Sequence, residues 1–354
     1  MHSEHAAFLR AIRAAPDDDL PRLIYADYLD EHGDPRGEFI RIQIERPRLP
    51  RDDPRRAGLK AREDELLRRH REEWEGPLAA VVSHAVFRRG FIDDVLVMAE
   101  AFLAHAHTLF DWAPIRTIKL RGTFRYVGAI LKRPELAALT GLDLCFDHLD
   151  NRDAALLVAC RHLSGLKRLN LNGNPIGDEG AARLAASPHL TGLEALHLEH
   201  CGLGPAAANS LAAARLTRLR ALDLSENFLG DDGIERLAAA PFLERFTALD
   251  LTAVGMGDAG AQRLAECPSL RGLRRLRLGY NGLGDAGTAA LVRSSHLTAL
   301  TALDVNGNAI GDAGAQAILD APHLRGLARL ELSVNPLSRA MRLQLDEEFG
   351  ERWG

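Results

Sequence analysis

From Leu139 to Leu337 the apolar residues return in one frame, L-x-x-L-x-L-x-x-[N/C/other]-x-[L/I/M], opened in turn by Leu139, Leu166, Leu193, Leu219, Phe246, Leu273, Leu300 and Leu327. The intervals between these openings are 27, 27, 26, 27, 27, 27 and 27 residues. Inside a frame, Leu169 and Leu171 alternate with polar residues at the strand period, and Ala181, Leu184 and Ala185 follow at helical spacing. Each unit thus predicts a short strand and then a helix, and a period in this range predicts a stack of units sharing one core. Asp178, Asp231, Asp258, Asp285 and Asp312 stand where a carboxylate would cap the first turn of its own helix. The glycine two residues later, as at Gly260 and Gly287, is costly in a helix and predicts close approach of helix to strand.

The alternation also sorts the side chains. Positions four and six of each frame face the core, so positions three, five and seven face the other side of the sheet. The central row, position five, reads Lys119, Asp143, Asn170, His197, Asp223, Asp250, Arg277, Asp304 and Glu331. Position seven adds Glu199, with Ser225 and Thr252 further along. Nine strands roughly 4.8 Å apart make an arc on the order of 40 Å, a size suited to a protein or peptide. Asp223 and Asp250 fall on adjacent strands, where like charges destabilise a sheet. Two readings stay open: the pair awaits a basic partner, or Arg275, Arg277 and Arg329 offset Asp250, Asp304 and Glu331 within the face. Tyr280 and then Phe146 are the aromatic anchors this face offers. The candidate partner-binding set is Asn170, His197, Glu199, Asp223, Asp250, Arg275, Arg277, Tyr280, Asp304 and Glu331. The turn after each strand carries Asn174, Asn227, Asn281, Asn308 and Asn335, suited to bonding buried loop backbone on both sides; Val254 breaks that row and cannot do so.

Segments such as Leu166-Lys-Arg-Leu-Asn-Leu-Asn-Gly-Asn-Pro-Ile-Gly-Asp178 resemble the leucine-rich repeats of the ribonuclease-inhibitor type. The resemblance implies an α/β fold: a leucine-rich-repeat solenoid with a curved parallel sheet inside and helices outside. It implies protein binding on the concave face and is silent on catalysis. Ahead of the repeats, Phe8, Leu9 and Ile12 define one short helix and Leu20, Leu23, Ile24 and Tyr28 the next, separated by Pro16-Asp-Asp-Asp19. The run from Pro21 to Gln43 resembles the repeat-companion domain found at the front of bacterial repeat proteins. Asp27, Asp30, Glu31 and Asp34 there read as a solvated face paired by Arg22, Arg36 and Arg41, not as catalytic acids. The expected organisation is a small N-terminal α-helical domain over 1–48, a helical connector over 49–90, the solenoid with a degenerate capping unit over 91–338, and a capping helix over 339–354.

Composition narrows the function further. At 46% hydrophobic and 26% charged residues the 354-residue chain can bury a sizeable core. A net charge of -5 argues against a general nucleic-acid binder. Four cysteines, Cys145, Cys160, Cys201 and Cys267, lack metal or redox spacing and read as reduced and structural. The stretch Met1 to Arg10 has no apolar leader core, and no later run reaches membrane-span length, so the expected location is cytoplasmic. His197, Glu199, His200 and Cys201 form the densest cluster of potential ligands, yet too few converge for a metal site. No nucleotide, nucleophile-elbow or zincin motif is present, and no cofactor is expected. The chain is expected to be a non-enzymatic interaction scaffold. The alternative is a regulator of a small GTPase, because the repeats are also similar to those of the Ran GTPase-activating protein.

Overall fold

The computed structural model describes residues 3–354, without the side chains of residues 3, 241 and 242. Met1 and His2, part of the stretch read for a leader, lie outside the described residues. The chain divides into two compact units, Met1–Leu142 and Asp143–Gly354.

The first unit opens with α1 (Ser3–Ala14), α2 (Leu20–Glu31), α3 (Arg36–Glu45) and the long α4 (Arg55–Glu75). Then come β1 (Val82–Arg88), β2 (Phe91–Met98), α5 (Ala99–Trp112), β3 (Thr117–Arg121) and the single turn α6 (Val127–Ile130). β1 runs antiparallel to β2, and β2 parallel to β3. Strand β1 lies in the stretch read as helical from the sequence; its alternating buried Ala85 and Phe87 fit a sheet edge better than a helix face. Leu9, Ile12, Tyr25, Ala26, Leu29, Ile40, Ile44 and Phe91 form the core of the helical part. The inner face of α2 is Arg22, Tyr25, Ala26 and Leu29, whereas Leu20 and Ile24, expected inside, are 60% and 50% exposed. Residues 22, 25, 26 and 29 follow the helical period, and Tyr25 supplies the bulk that the aliphatic residues were expected to give. Arg41 pairs with both Asp27 and Asp30, as a solvated carboxylate face predicts. Arg22 and Arg36 do not join it: Arg22 is buried, and Arg36 donates to the Gly90 carbonyl at 3.1 Å while lying over the Phe91 ring.

At the division between the units stands β4 (Gly141–Asp143). The second unit continues with α7 (Asn151–Ala159), β5 (Arg168–Asn170), α8 (Gly177–Ala186), β6 (Ala195–His197), α9 (Pro205–Ala212), β7 (Ala221–Asp223) and α10 (Gly230–Ala238). It ends with β8 (Ala248–Asp250), α11 (Asp258–Ala265), β9 (Arg275–Arg277), α12 (Asp285–Val292), β10 (Ala302–Asp304), α13 (Asp312–Leu319), β11 (Arg329–Glu331) and α14 (Arg339–Phe349). Strands β5 to β11 are parallel and pair in chain order, each in register with the next repeat. Positions four and six are buried throughout, from Leu169 and Leu171 to Leu330 and Leu332. After α14, Trp353 bridges Leu330, and the Gly354 carbonyl accepts from the Leu332 and Ser333 amides, both at 2.8 Å. The open edge of β11 is thus paired, while Met341, Leu345 and Phe349 of α14 are buried.

The aspartates expected to cap their own helices cap the next one instead. Asp258 Oδ1 accepts from Gly284 N at 2.7 Å and Gly287 N at 3.0 Å, the open amides at the start of α12. Asp178, Asp231 and Asp285 do the same for α9, α11 and α13, and Asp312 accepts from Ser338 N ahead of α14. Each sits in the first turn of its own helix, so its side chain reaches sideways to the neighbour's orphan donors. At Gly260, Gly287 and Gly314 the recurring glycine makes room for that carboxylate, and not for a strand: a Cβ on Gly287 would lie 2.4 Å from Asp258 Oδ1, whereas at Gly180 and Gly233 it would meet Ile176 and Leu229 instead. Pro205 replaces the aspartate in the repeat before α10 and interrupts the chain of caps.

Candidate functional site

The face of the second unit opposite its helices is built from the rows between the leucines. Position five runs through in-register pairs Asn170–His197, His197–Asp223, Asp223–Asp250, Asp250–Arg277, Arg277–Asp304 and Asp304–Glu331. A depression of about 170 Å³ opens in the middle of the row. His197, Asp223, Asp250, Arg275 and Arg277 line it, and Ala221 and Ala248 form its floor with the edges of Leu222 and Leu249. The alanines are the contribution that sequence reasoning missed. Position three reads Arg168, Ala195, Ala221, Ala248, Arg275, and the small residues ahead of Arg275 are the signal that a hollow begins there.

The acidic residues are half-buried and held in place. Asp223 Oδ1 accepts from Ser225 N at 3.1 Å and Ser225 Oγ at 2.6 Å; Asp250 Oδ1 accepts from Thr252 N at 3.1 Å and Thr252 Oγ1 at 2.7 Å. Asn170 accepts from Asn172 N in the same way, and Asp304 from Asn306 N. Where position five is Asp or Asn it therefore closes the turn that ends the strand, a local role for a short polar side chain. One oxygen of each carboxylate is fixed by the turn, and the other faces the depression's charged groups. Asp223 Oδ2 lies 3.5 Å from His197 Nδ1, and Asp250 Oδ2 accepts from Arg277 Nη1 at 3.1 Å.

Electrostatics divide the row. Burial pushes the Asp223 carboxyl up, but the bonds from His197 and Ser225 outweigh it and the net shift is downward. Glu199, beside it on position seven, is held above the ordinary glutamate range, first by partial burial and then by Asp223, Glu226 and Asp250. Arg277 is raised by its bond to Asp250 and by the nearby Asp304 and Asp223. Asp304 is raised, by burial first and by Glu331 among its neighbours. Arg329 pairs with Glu331 on its own strand. The offsetting arginines thus answer Asp250 and Glu331, while among the described residues Asp223 pairs with His197, Ser225 and the Ser225 amide.

Asn170, Asp304 and Glu331 continue the row on either side of the depression. Glu199 accepts from Asn172 Nδ2 at 2.7 Å. Tyr280 does not join the hollow. It stands at the loop edge with φ +54° and is 57% exposed, its ring over Gly307, where a Cβ would come within 2.5 Å of it. Phe146 covers Gly173 in the same manner. His200 projects toward Glu226 at 3.6 Å, and Cys201 is buried, its thiol pushed up to about 12 by desolvation. Among the described residues no three His, Cys, Asp or Glu side chains converge as metal ligands, and all four cysteines are free thiols. No described helix is long and apolar enough to cross a membrane.

Four segments, 162–185, 216–238, 270–292 and 296–319, match the family model described as Leucine Rich repeat. With the parallel strand–helix stack, they identify the fold of the second unit as a leucine-rich-repeat solenoid. No curated protein matches the chain. Among solved structures it is similar to a structural-genomics target from Bacteroides fragilis, at 17% identity over 68% of this chain and 65% of that one, with a TM-score of 0.41. It is also similar to TLR13 in a complex with single-stranded RNA, at 19% identity over 64% of this chain and 36% of that one, with a TM-score of 0.41. The chain thus spans less than two thirds of either structure's length.

Proposed function

We propose that this protein is a non-enzymatic scaffold whose concave repeat face binds another protein or peptide through basic side chains. The observation that carries this reading is the in-register Asp223–Asp250 pair at the rim of the depression, with Glu199 alongside and its carboxyl raised first by partial burial and then by the same negative field. A lysine or arginine from a partner would bring a full positive charge to Asp223 Oδ2, which faces only the His197 ring at 3.5 Å among the described residues, and relieve that field. Small alanines at the floor admit its aliphatic stem. The N-terminal module serves, in this reading, as a cap or a second docking element.

The test replaces both aspartates by asparagine. Asn170 occupies the same position and makes the same turn bond, so Asp223→Asn with Asp250→Asn removes charge while keeping the turn. Chemical crosslinking in the cell of origin, followed by mass spectrometry, should recover a partner with wild type and lose it with the double variant. An unchanged partner profile would remove the proposal.

A further inference from the structure

The first unit holds a second, different depression, about 460 Å³, on the side of α4 and β1. Arg46, Arg88, Arg89 and Arg116 line it, and Glu63 is the acid among its lining residues. Each arginine is steadied from one side. Arg46 Nε donates to Glu63 at 2.8 Å; Arg116 Nε donates to Asp93 at 2.9 Å and its Nη1 to Asp17 at 2.6 Å. Arg89 donates to the Pro16 carbonyl at 2.8 Å and lies 3.4 Å from Asp19. Arg88 meets Asp93 only at 3.6 Å, too long for a hydrogen bond, and its side chain is 58% exposed. A guanidinium carries five N–H donors in a planar fork, so these tethers orient the group and leave donors for one more acceptor.

A second observation points the same way. Arg22, behind this cluster on α2, is 2% exposed; its Nη1 donates to the Asp18 carbonyl at 3.0 Å, and its Nε has no partner. It forms no ion pair among the described residues. Burial first, and then Arg89 and Arg116, push its pKa down to about 10. Asp19 and Asp93 act on Arg22 only from a distance and do not outweigh its burial, so an anion held by Arg89 and Arg116 would offset the remaining cost.

We propose that this arginine-lined depression binds a phosphoryl dianion, carried by a small phosphate compound or by a phosphorylated side chain. Planar forks at several angles match phosphoryl oxygens in a way that lysines would not. The site is separate in residues and in charge from the acidic repeat face.

Calorimetric titration of the full chain with pyrophosphate, inorganic phosphate and a phosphoserine peptide tests this. Saturable binding is expected, weakened at least about tenfold by Arg88→Glu or by Arg46→Gln, as loss of a charge-assisted bond implies. Thermal melts of the two variants identify any folding defect, and the variant that melts like wild type decides. Tighter binding of the peptide than of pyrophosphate assigns the group to a protein side chain; the reverse order assigns it to a small compound. No saturable binding of any probe in the millimolar range, or an affinity unchanged in the normally folded variant, would overturn the proposal.

Discussion

The eighth position of the repeat gives the sharpest residue-scale result. Phe146, His200, Glu226, Ala253, Tyr280 and Val334 all occupy it with φ between +52° and +56°, and Gly173 and Gly307 occupy it at +69° and +61°. Side chains other than glycine are strained there, and a β-branched one most of all. Val334 is 67% exposed, so its side chain gains little packing in return. Val334→Gly is therefore expected to raise stability by about 1 kcal/mol in urea unfolding; a loss would contradict the strain account. Val254 is a different exception. In neighbouring repeats the turn asparagine accepts two amides, as Asn281 Oδ1 does from Val254 N at 3.0 Å and Met256 N at 3.1 Å. Val254 leaves the equivalent amides of Asn227 and Leu229, both buried, without acceptors among the described residues. Val254→Asn should restore them and add about 1 kcal/mol, measured the same way. Glu199 makes a pH-dependent prediction. Its folded carboxyl is raised, by partial burial and then by Asp223, Glu226 and Asp250, so the folded state holds its proton more tightly than the unfolded chain. Stability from this group is therefore present below the ordinary glutamate pKa of about 4.3 and is lost as pH rises through the folded value. Glu199→Gln should be more stable than wild type at neutral pH by a few tenths of a kcal/mol, solvent screening keeping the effect small, with no gain below about pH 4. Equal stability at neutral pH would count against the crowding of charge around Asp223.

Among the elements, the leucine period made strands and helices legible because core-facing residues must recur with the backbone. The capping of one helix by its neighbour was not legible. An aspartate at the start of a helix looks alike whether it serves its own first turn or the next one, and only the stacking distance decides. Gly287 carried the missing hint, since a glycine beside a good helix former is explained by the Asp258 carboxylate pressed against it. Asp258→Ala should cost about 1–2 kcal/mol, the range of a lost helix cap. The loss should appear as faster amide exchange at Gly284 and Gly287 of α12 rather than within α11, where Asp258 itself resides. Strand β1 was missed for another reason. Val82–Arg88 follows a long charged helix, and its short alternation is weak against that background, becoming a strand through its antiparallel pairing with β2. The α2 face was misread because Leu20 and Ile24 are aliphatic and outward, while a buried Arg22 and Tyr25 take the inner positions.

At the scale of the whole molecule, the repeat arithmetic located the face, and the alternation located the row, before any side-chain geometry was known. The hollow between Asp223 and Arg277 required the structure, because it depends on Ala221 and Ala248 meeting Arg275 in register. Tyr280 illustrates the limit of strand counting: two residues past the alternating run the backbone turns left-handed and carries the ring out to the edge. The second unit thus presents an acidic centre with two arginines, Arg275 and Arg277, beside it, and the first unit an arginine-lined hollow of its own. Charge, more than apolar area, would select a partner for the repeat face, so binding should weaken with added salt. The most direct measurement is crosslinking mass spectrometry in the cell of origin with wild type and the Asp223→Asn/Asp250→Asn variant at matched expression. The account predicts crosslinks from the repeat face to basic segments of a partner, lost in the variant. Crosslinks that persist unchanged, or that never involve this face, would contradict it.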